Sequence, residues 1–132
     1  MKFGYVRYGS VLRPVIPITV RHGRNEIVYQ VLVDSGADIC LFDEEIALAL
    51  GIPIRQGAMK TVFGVGGKSS VYYVHRVEIG VNGKFKETEI GFMPHVAGSV
   101  MQYGIVGQKG FFDRFTISFD LLRGEVQLQE RK

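Results

Sequence analysis

An apolar run, Val31-Leu32-Val33, leads straight into Asp34-Ser35-Gly36, and a second carboxylate follows at Asp38. A carboxylate carried to the edge of a core costs free energy unless it is paired or hydrogen-bonded. Two readings follow. In one, Asp34 and Ser35 bond nearby backbone N–H groups and only shape a turn. In the other, Asp34 is a sheltered acid or base able to move a proton to or from water. Ser35 could then orient the carboxylate, and Gly36 would let another backbone approach closely. Further on, Ile105-Val106-Gly107 is another apolar pair ending in glycine.

Other reactive side chains carry less. Cys40, in Ile-Cys-Leu-Phe, has no histidine near in sequence and no helix start before it, so it reads as a small buried hydrophobe. His22, His75 and His95 lack metal-ligand spacing and read as surface or strand residues. No metal or other cofactor is expected. Gly64-Val65-Gly66-Gly67 could pass for a phosphate loop. It lacks the following helix and a Lys-Ser/Thr pair in register, and so reads as a hairpin tip.

The elements that would position Asp34 are mostly strands. Residues 15–21 and 27–33 flank the turn residues 22–26 and form a hairpin, with Pro17 expected to face outward from an edge or to sit at a bulge. Residues 43–50 are the one helix. Asp43 caps it, Glu44 and Glu45 suit its positive end, and Gly51 with Pro53 stops it. A strand, the glycine-rich tip and a long return strand occupy 59–79. Asn82-Gly83 marks a tight hairpin, and the strand over 86–93 stops at Pro94. Residues 102–107 are a short apolar segment, and 115–120 with 125–129 close as a C-terminal hairpin. The expected fold is all-β with one short helix.

The totals limit the alternatives. With 132 residues the chain should be one domain with one core. Its net charge of +3 is spread along the sequence rather than gathered in a run, so no nucleic-acid partner is expected. A single cysteine allows no internal disulfide and suits a reducing compartment. The first residues lack the apolar stretch of a signal peptide, and no run is long enough to span a bilayer. A soluble, cytoplasmic protein without membrane association is the expectation.

Taken in order, the hairpin feeding Val31-Leu32-Val33-Asp34-Ser35-Gly36-Ala37-Asp38, the short helix after it, Val62-Phe63-Gly64-Val65-Gly66-Gly67-Lys68 and the later Gly104-Ile105-Val106-Gly107 resemble the retropepsin-type aspartic peptidases. These include the retroviral proteases and their single-domain bacterial and archaeal relatives. The resemblance spans most of the chain and implies a closed β-barrel of the acid-protease half-fold, one domain over 1–132, with a flap hairpin near 59–75. It also implies that Asp34, Ser35 and Gly36 are the catalytic motif. Ala37, Asp38, Gly64, Val65, Gly66, Gly67 and Val106 would contact substrate, and Ile105-Val106-Gly107 would brace the catalytic loop from beneath. One departure stands out. Where many retroviral members carry an arginine paired with the carboxylate at the Asp38 position, this chain has Gln108 followed by Lys109. Gln108 can offer only a neutral hydrogen bond, and a lysine lacks the arginine fork.

The chain holds one Asp-Ser-Gly, whereas the family's chemistry uses two aspartates. The implied enzyme is therefore a homodimeric aspartic endopeptidase acting on a peptide or protein, with one Asp34 from each chain. The C-terminal hairpin is expected to contribute to the dimer. The alternative is a non-catalytic peptide-binding or scaffold protein that keeps the fold.

Overall fold

The computed structural model describes residues 1–63, 65–67, 69–94 and 101–131. Among them a barrel of short strands surrounds one core. β1 (Lys2–Gly4), β2 (Val6–Tyr8) and β3 (Val11–Arg13) lead into β4 (Val15–His22) and β5 (Asn25–Val33). β6 (Leu41–Asp43) and helix α1 (Glu44–Ala49) follow, then β7 (Ala58–Phe63), β8 (Ser69–Val81) and β9 (Lys84–Met93). β10 (Gly104–Val106), β11 (Phe115–Asp120) and β12 (Glu125–Glu130) complete the chain. The order β4-β5-β10-β6-β9-β8 closes on itself where Thr19–Arg21 of β4 pairs with Glu78–Gly80 of β8. Closure leaves those six strands without a free edge over that stretch. β7 stays outside the ring, paired only with the first half of β8.

Residue choice explains the pairing. Ile16, Ile18 and Val20 alternate with exposed Pro17 and half-buried Thr19, so β4 turns one face to the core. Pro17 lies on the stretch of β4 that pairs with β5 alone, and its missing N–H costs no barrel bond. At the β8–β9 turn Asn82 and Gly83 both have positive φ, 50° and 79°, which matches the right-handed twist of the strands. The Asp43 carboxylate accepts from Glu45 N at 2.9 Å and caps α1, while Gly51, at φ 72°, ends it. Phe42, Phe92, Phe111 and Phe115 fill the centre of the core, each contributing roughly 1.5–3 kcal/mol by burial.

The two chain ends meet in a separate three-stranded sheet, β1-β12-β11. The Met1 ammonium donates to Leu128 O at 2.9 Å, and Leu128 N donates back to Met1 O at 2.8 Å. Arg114, only 4% exposed, fastens this sheet to the barrel. Its guanidinium donates to Ile79 O at 2.9 Å, to Lys84 O at 2.8 Å and to Glu130 Oε1 at 3.4 Å. A buried charge needs that many partners to be tolerated.

Candidate functional site

Asp34 follows directly on the last residue of β5. Its N–H donates to Val106 O at 3.0 Å, so β10 holds the loop from below. Its Oδ1 accepts from Gly36 N at 2.9 Å, and its carbonyl accepts from Ala37 N at 3.2 Å. The side chain does shape a turn, as the simpler reading expected. It is also half-buried on the wall of an open cleft, where its other oxygen has no protein donor among the described residues.

The segment after β10 locks this loop. Gln108 N donates to Ala37 O at 2.8 Å and Lys109 N to Asp38 O at 3.0 Å. Gly107 passes so close that a Cβ would lie 2.5 Å from both Ala37 O and Ile39 O, so only glycine fits. The Gln108 side chain donates from Nε2 to Ser35 O at 3.1 Å. The brace is thus a neutral hydrogen bond to the loop backbone. The Lys109 ammonium lies 3.8 Å from Glu89 and makes no ion pair with Asp38.

Cys40 takes part in the same lock. Its thiol accepts from Gly107 N at 3.4 Å and donates to Lys109 O at 3.5 Å. Burial pushes its pKa up to about 11, and Asp113 adds to this, against a smaller opposite effect from the Gly107 N–H. It is fully buried and protonated at neutral pH, which fits a packing residue and not a nucleophile.

The cleft holds about 760 Å³, within the usual range for ligand sites. Asp34, Gly36, Ala37, Asp38 and Leu41 form one side. Thr61, Val62, Phe63 and Tyr72 of the β7–β8 hairpin face them, and Ile105 also contributes. The structure therefore brings Asp34, Gly36, Ala37 and Asp38 together, with exposed Ser35 between them; its hydroxyl makes no hydrogen bond among the described residues. Gly66 and Gly67 sit exposed at the hairpin tip, at φ 86° and 76°. Gly64, Lys68 and His95 lie outside the described residues.

Val106 requires a correction. It was expected to touch substrate, yet it is fully buried. In a strand neighbouring side chains face opposite ways, so Ile105 reaches the cleft and Val106 the core. The sequence also gave no hint of Phe63, 74% exposed on the hairpin, or of which of Tyr72 and Tyr73 turns inward. Tyr72 does, because Gly91 leaves room for its ring.

A family model described as aspartyl protease matches residues 16–109, which is most of the chain. Among solved structures, a retropepsin-like aspartic protease from Rickettsia conorii is 14% identical, covering 97% of this chain and 89% of that one at a TM-score of 0.66. The retroviral protease-like domain of Ddi1 from Leishmania major is 17% identical, with 90% of each chain covered and a TM-score of 0.61. EIAV protease, solved in complex with the inhibitor HBY-793, is 21% identical over 78% of this chain and 88% of its own, at 0.54. These likenesses show a retropepsin-like fold. No curated protein matches the chain.

Proposed function

The chain belongs to the aspartyl protease family, and on that premise we propose that it is an aspartic endopeptidase that works as a homodimer. The observation that carries this is a lone Asp34, held by Val106 and Gly36, on the wall of an open cleft beneath a glycine-tipped hairpin. One carboxylate makes half a site. A second copy related by a two-fold axis supplies the other half.

Two Asp34 carboxylates about 3 Å apart cannot both ionise, a situation for which the aspartic proteases are the standard example. The pair titrates as a unit and shares one proton. The ionised carboxylate takes a proton from a water molecule, whose oxygen attacks the scissile carbonyl carbon. The protonated carboxyl gives its proton to the carbonyl oxygen. Collapse of the tetrahedral species then sends a proton to the departing nitrogen. The geometry of the Asp34 loop supports this role: its hydrogen bonds fix one oxygen and leave the other open to the cleft.

The β7–β8 hairpin acts in this proposal as a flap, moving at Gly66 and Gly67 to cover an extended peptide bound as an added strand. Exposed Phe63 and Met59 on that hairpin are apolar surface for such a peptide or for the partner's flap to cover. The Ser35 hydroxyl, without a hydrogen-bond partner among the described residues, is placed in this proposal to brace the loop of the second copy. Phe119, Leu121 and Leu122 of the β11–β12 hairpin stand exposed, which supports a part for this hairpin in the dimer. No helix among the described residues is long and apolar enough to cross a membrane. A reducing compartment such as the cytoplasm completes the proposal, on the strength of a single buried thiol.

The test is cleavage of an unstructured protein by wild type and by Asp34→Asn, between about pH 4 and 7, with the oligomeric state read in the same buffers. Cleavage by a wild-type dimer and none by Asp34→Asn is the expected result. A folded wild type that binds peptides but never cleaves them would favour the non-catalytic alternative.

A further inference from the structure

Past Ile39 the wall of the cleft opens into a smaller recess, formed with Lys60, Tyr72, Glu89, Gly91 and Lys109. Ile39 and Tyr72 belong to both spaces, so a side chain lying in the cleft can reach the recess without leaving the protein surface. The recess holds about 40 Å³, room for a carboxylate head.

Its electrostatics are one-sided. Lys60 makes no ion pair among the described residues. Among them Lys109 pairs only with Glu89, at 3.8 Å, with the two side chains 63% and 39% exposed. Such a pair is worth little. Arg76 stands across from Glu89 on the neighbouring strand but makes its ion pair with Glu87, at 2.7 Å, so within the recess two lysines face one carboxylate. The recess is left with an excess of positive charge.

Exposed lysines alone would mean only a solvated surface. Tyr72 makes the difference. It pairs across the strands with Lys60, and its side chain is 91% shielded, with 9% exposure. Its ring lies against Gly91, where any Cβ would come within 2.6 Å of it. Its hydroxyl has no hydrogen-bond partner among the described residues, yet no buried polar atom there is sealed off without one. The hydroxyl therefore keeps some access to solvent, and Tyr72 lines both the recess and the adjoining cleft, where a largely buried phenol looks for an acceptor.

We propose that this recess is a subsite for an acidic substrate side chain. The carboxylate of a glutamate or aspartate accepts from the Tyr72 hydroxyl and pairs with Lys60 and Lys109, while its stem crosses Ile39. The proposal rests on the reading of the cleft as a peptide site and adds the substrate class.

The test separates the two. A labelled apolar peptide series, with Glu, Gln or Lys walked through each position, is titrated onto Asp34→Asn by fluorescence anisotropy, and the same series is offered to wild type for cleavage. At one position Glu should bind about fivefold tighter than Gln, and the ratio should shrink with added salt. In Lys60→Gln/Lys109→Gln it should fall to about one, and Tyr72→Phe, which removes only the hydroxyl, should reduce it. Equal binding of Glu and Gln at every position, or a preference that survives the double lysine change, overturns the subsite. Preference without cleavage by wild type overturns the endopeptidase and leaves the subsite standing. Cleavage without preference does the reverse, and no binding by any peptide overturns both.

Discussion

Gly107→Ala should cost both stability and activity, although the added group is a single methyl. The new Cβ would lie 2.5 Å from Ala37 O and from Ile39 O, about 0.9 Å short of the 3.4 Å at which ordinary contact begins. Both obstacles are backbone, so no side chain can swing aside. One of them, Ala37 O, accepts from Gln108 N, and the Gly107 N–H donates to the Cys40 thiol. Relief requires the loop that carries Asp34 to move by most of that distance. Overpacking of this kind costs about 1–3 kcal/mol, and a weakened hydrogen bond adds about 1 kcal/mol. The melting temperature should fall by roughly 10 °C for a domain of this size. Displacing a catalytic group by about 1 Å costs on the order of a hundredfold in rate, so cleavage should drop even at temperatures where the variant is folded. Urea and thermal unfolding followed by circular dichroism give the first number, and initial rates on an unstructured substrate give the second. Gly4→Ala is the control, since its Cβ would meet only Gly124 O, at 4.0 Å, and it should melt like wild type. A Gly107→Ala protein with wild-type melting and activity would refute the close approach and the argument built on it.

Cys40→Ala removes the acceptor of a buried N–H and should cost roughly 1–3 kcal/mol by urea unfolding; in wild type the thiol should react with an aromatic disulfide only on the unfolding timescale. Alkaline pH should destabilise the fold in a defined window. Burial raises Cys40 to about 11 and Tyr29 to about 12. The folded chain keeps these protons where the unfolded chain loses them, so stability is full below the unfolded values, near 9 and 10, and is lost as pH rises towards the folded ones. Urea midpoints from neutral pH upward check this, and Cys40→Ala should remove the lower part of the decline. Arg114→Met strands the carbonyls of Ile79 and Lys84 and should cost roughly 2–4 kcal/mol, read as a lower urea midpoint with the two-state shape retained. Gln108→Ala frees the Ser35 carbonyl and should cost about 1 kcal/mol, with faster amide exchange confined to residues 34–38.

Much of this structure can be read from local patterns. Asn82-Gly83, the Asp43 cap and the alternation in β4 each fix an element from neighbouring residues alone, and all three are observed. The N-terminal strands β1 to β3 are different. Each has three residues and little alternation, and β1 exists only because β12 arrives from the far end of the chain. The Asp34 loop shows itself because a carboxylate at the end of an apolar strand is unusual. The opposite wall of the cleft does not, because Phe63 and Tyr72 meet Asp34 only once β7 and β8 fold over the barrel. Ile105 and Val106 illustrate the limit of periodicity: two adjacent apolar residues between glycines give no alternation from which to tell core from cleft. Arg114 lies in no motif, and nothing near it in sequence tells that it is buried.

If one chain supplies half of a catalytic pair, subunit mixing will reveal it. Wild type and Asp34→Asn are combined in varying proportions at fixed total concentration, allowed to exchange subunits, and assayed for peptide cleavage. If both Asp34 carboxylates are required, heterodimers are dead and activity falls as the square of the wild-type fraction. Activity that falls only in direct proportion to that fraction, after exchange has been verified, would mean that a single Asp34 suffices and would contradict the account.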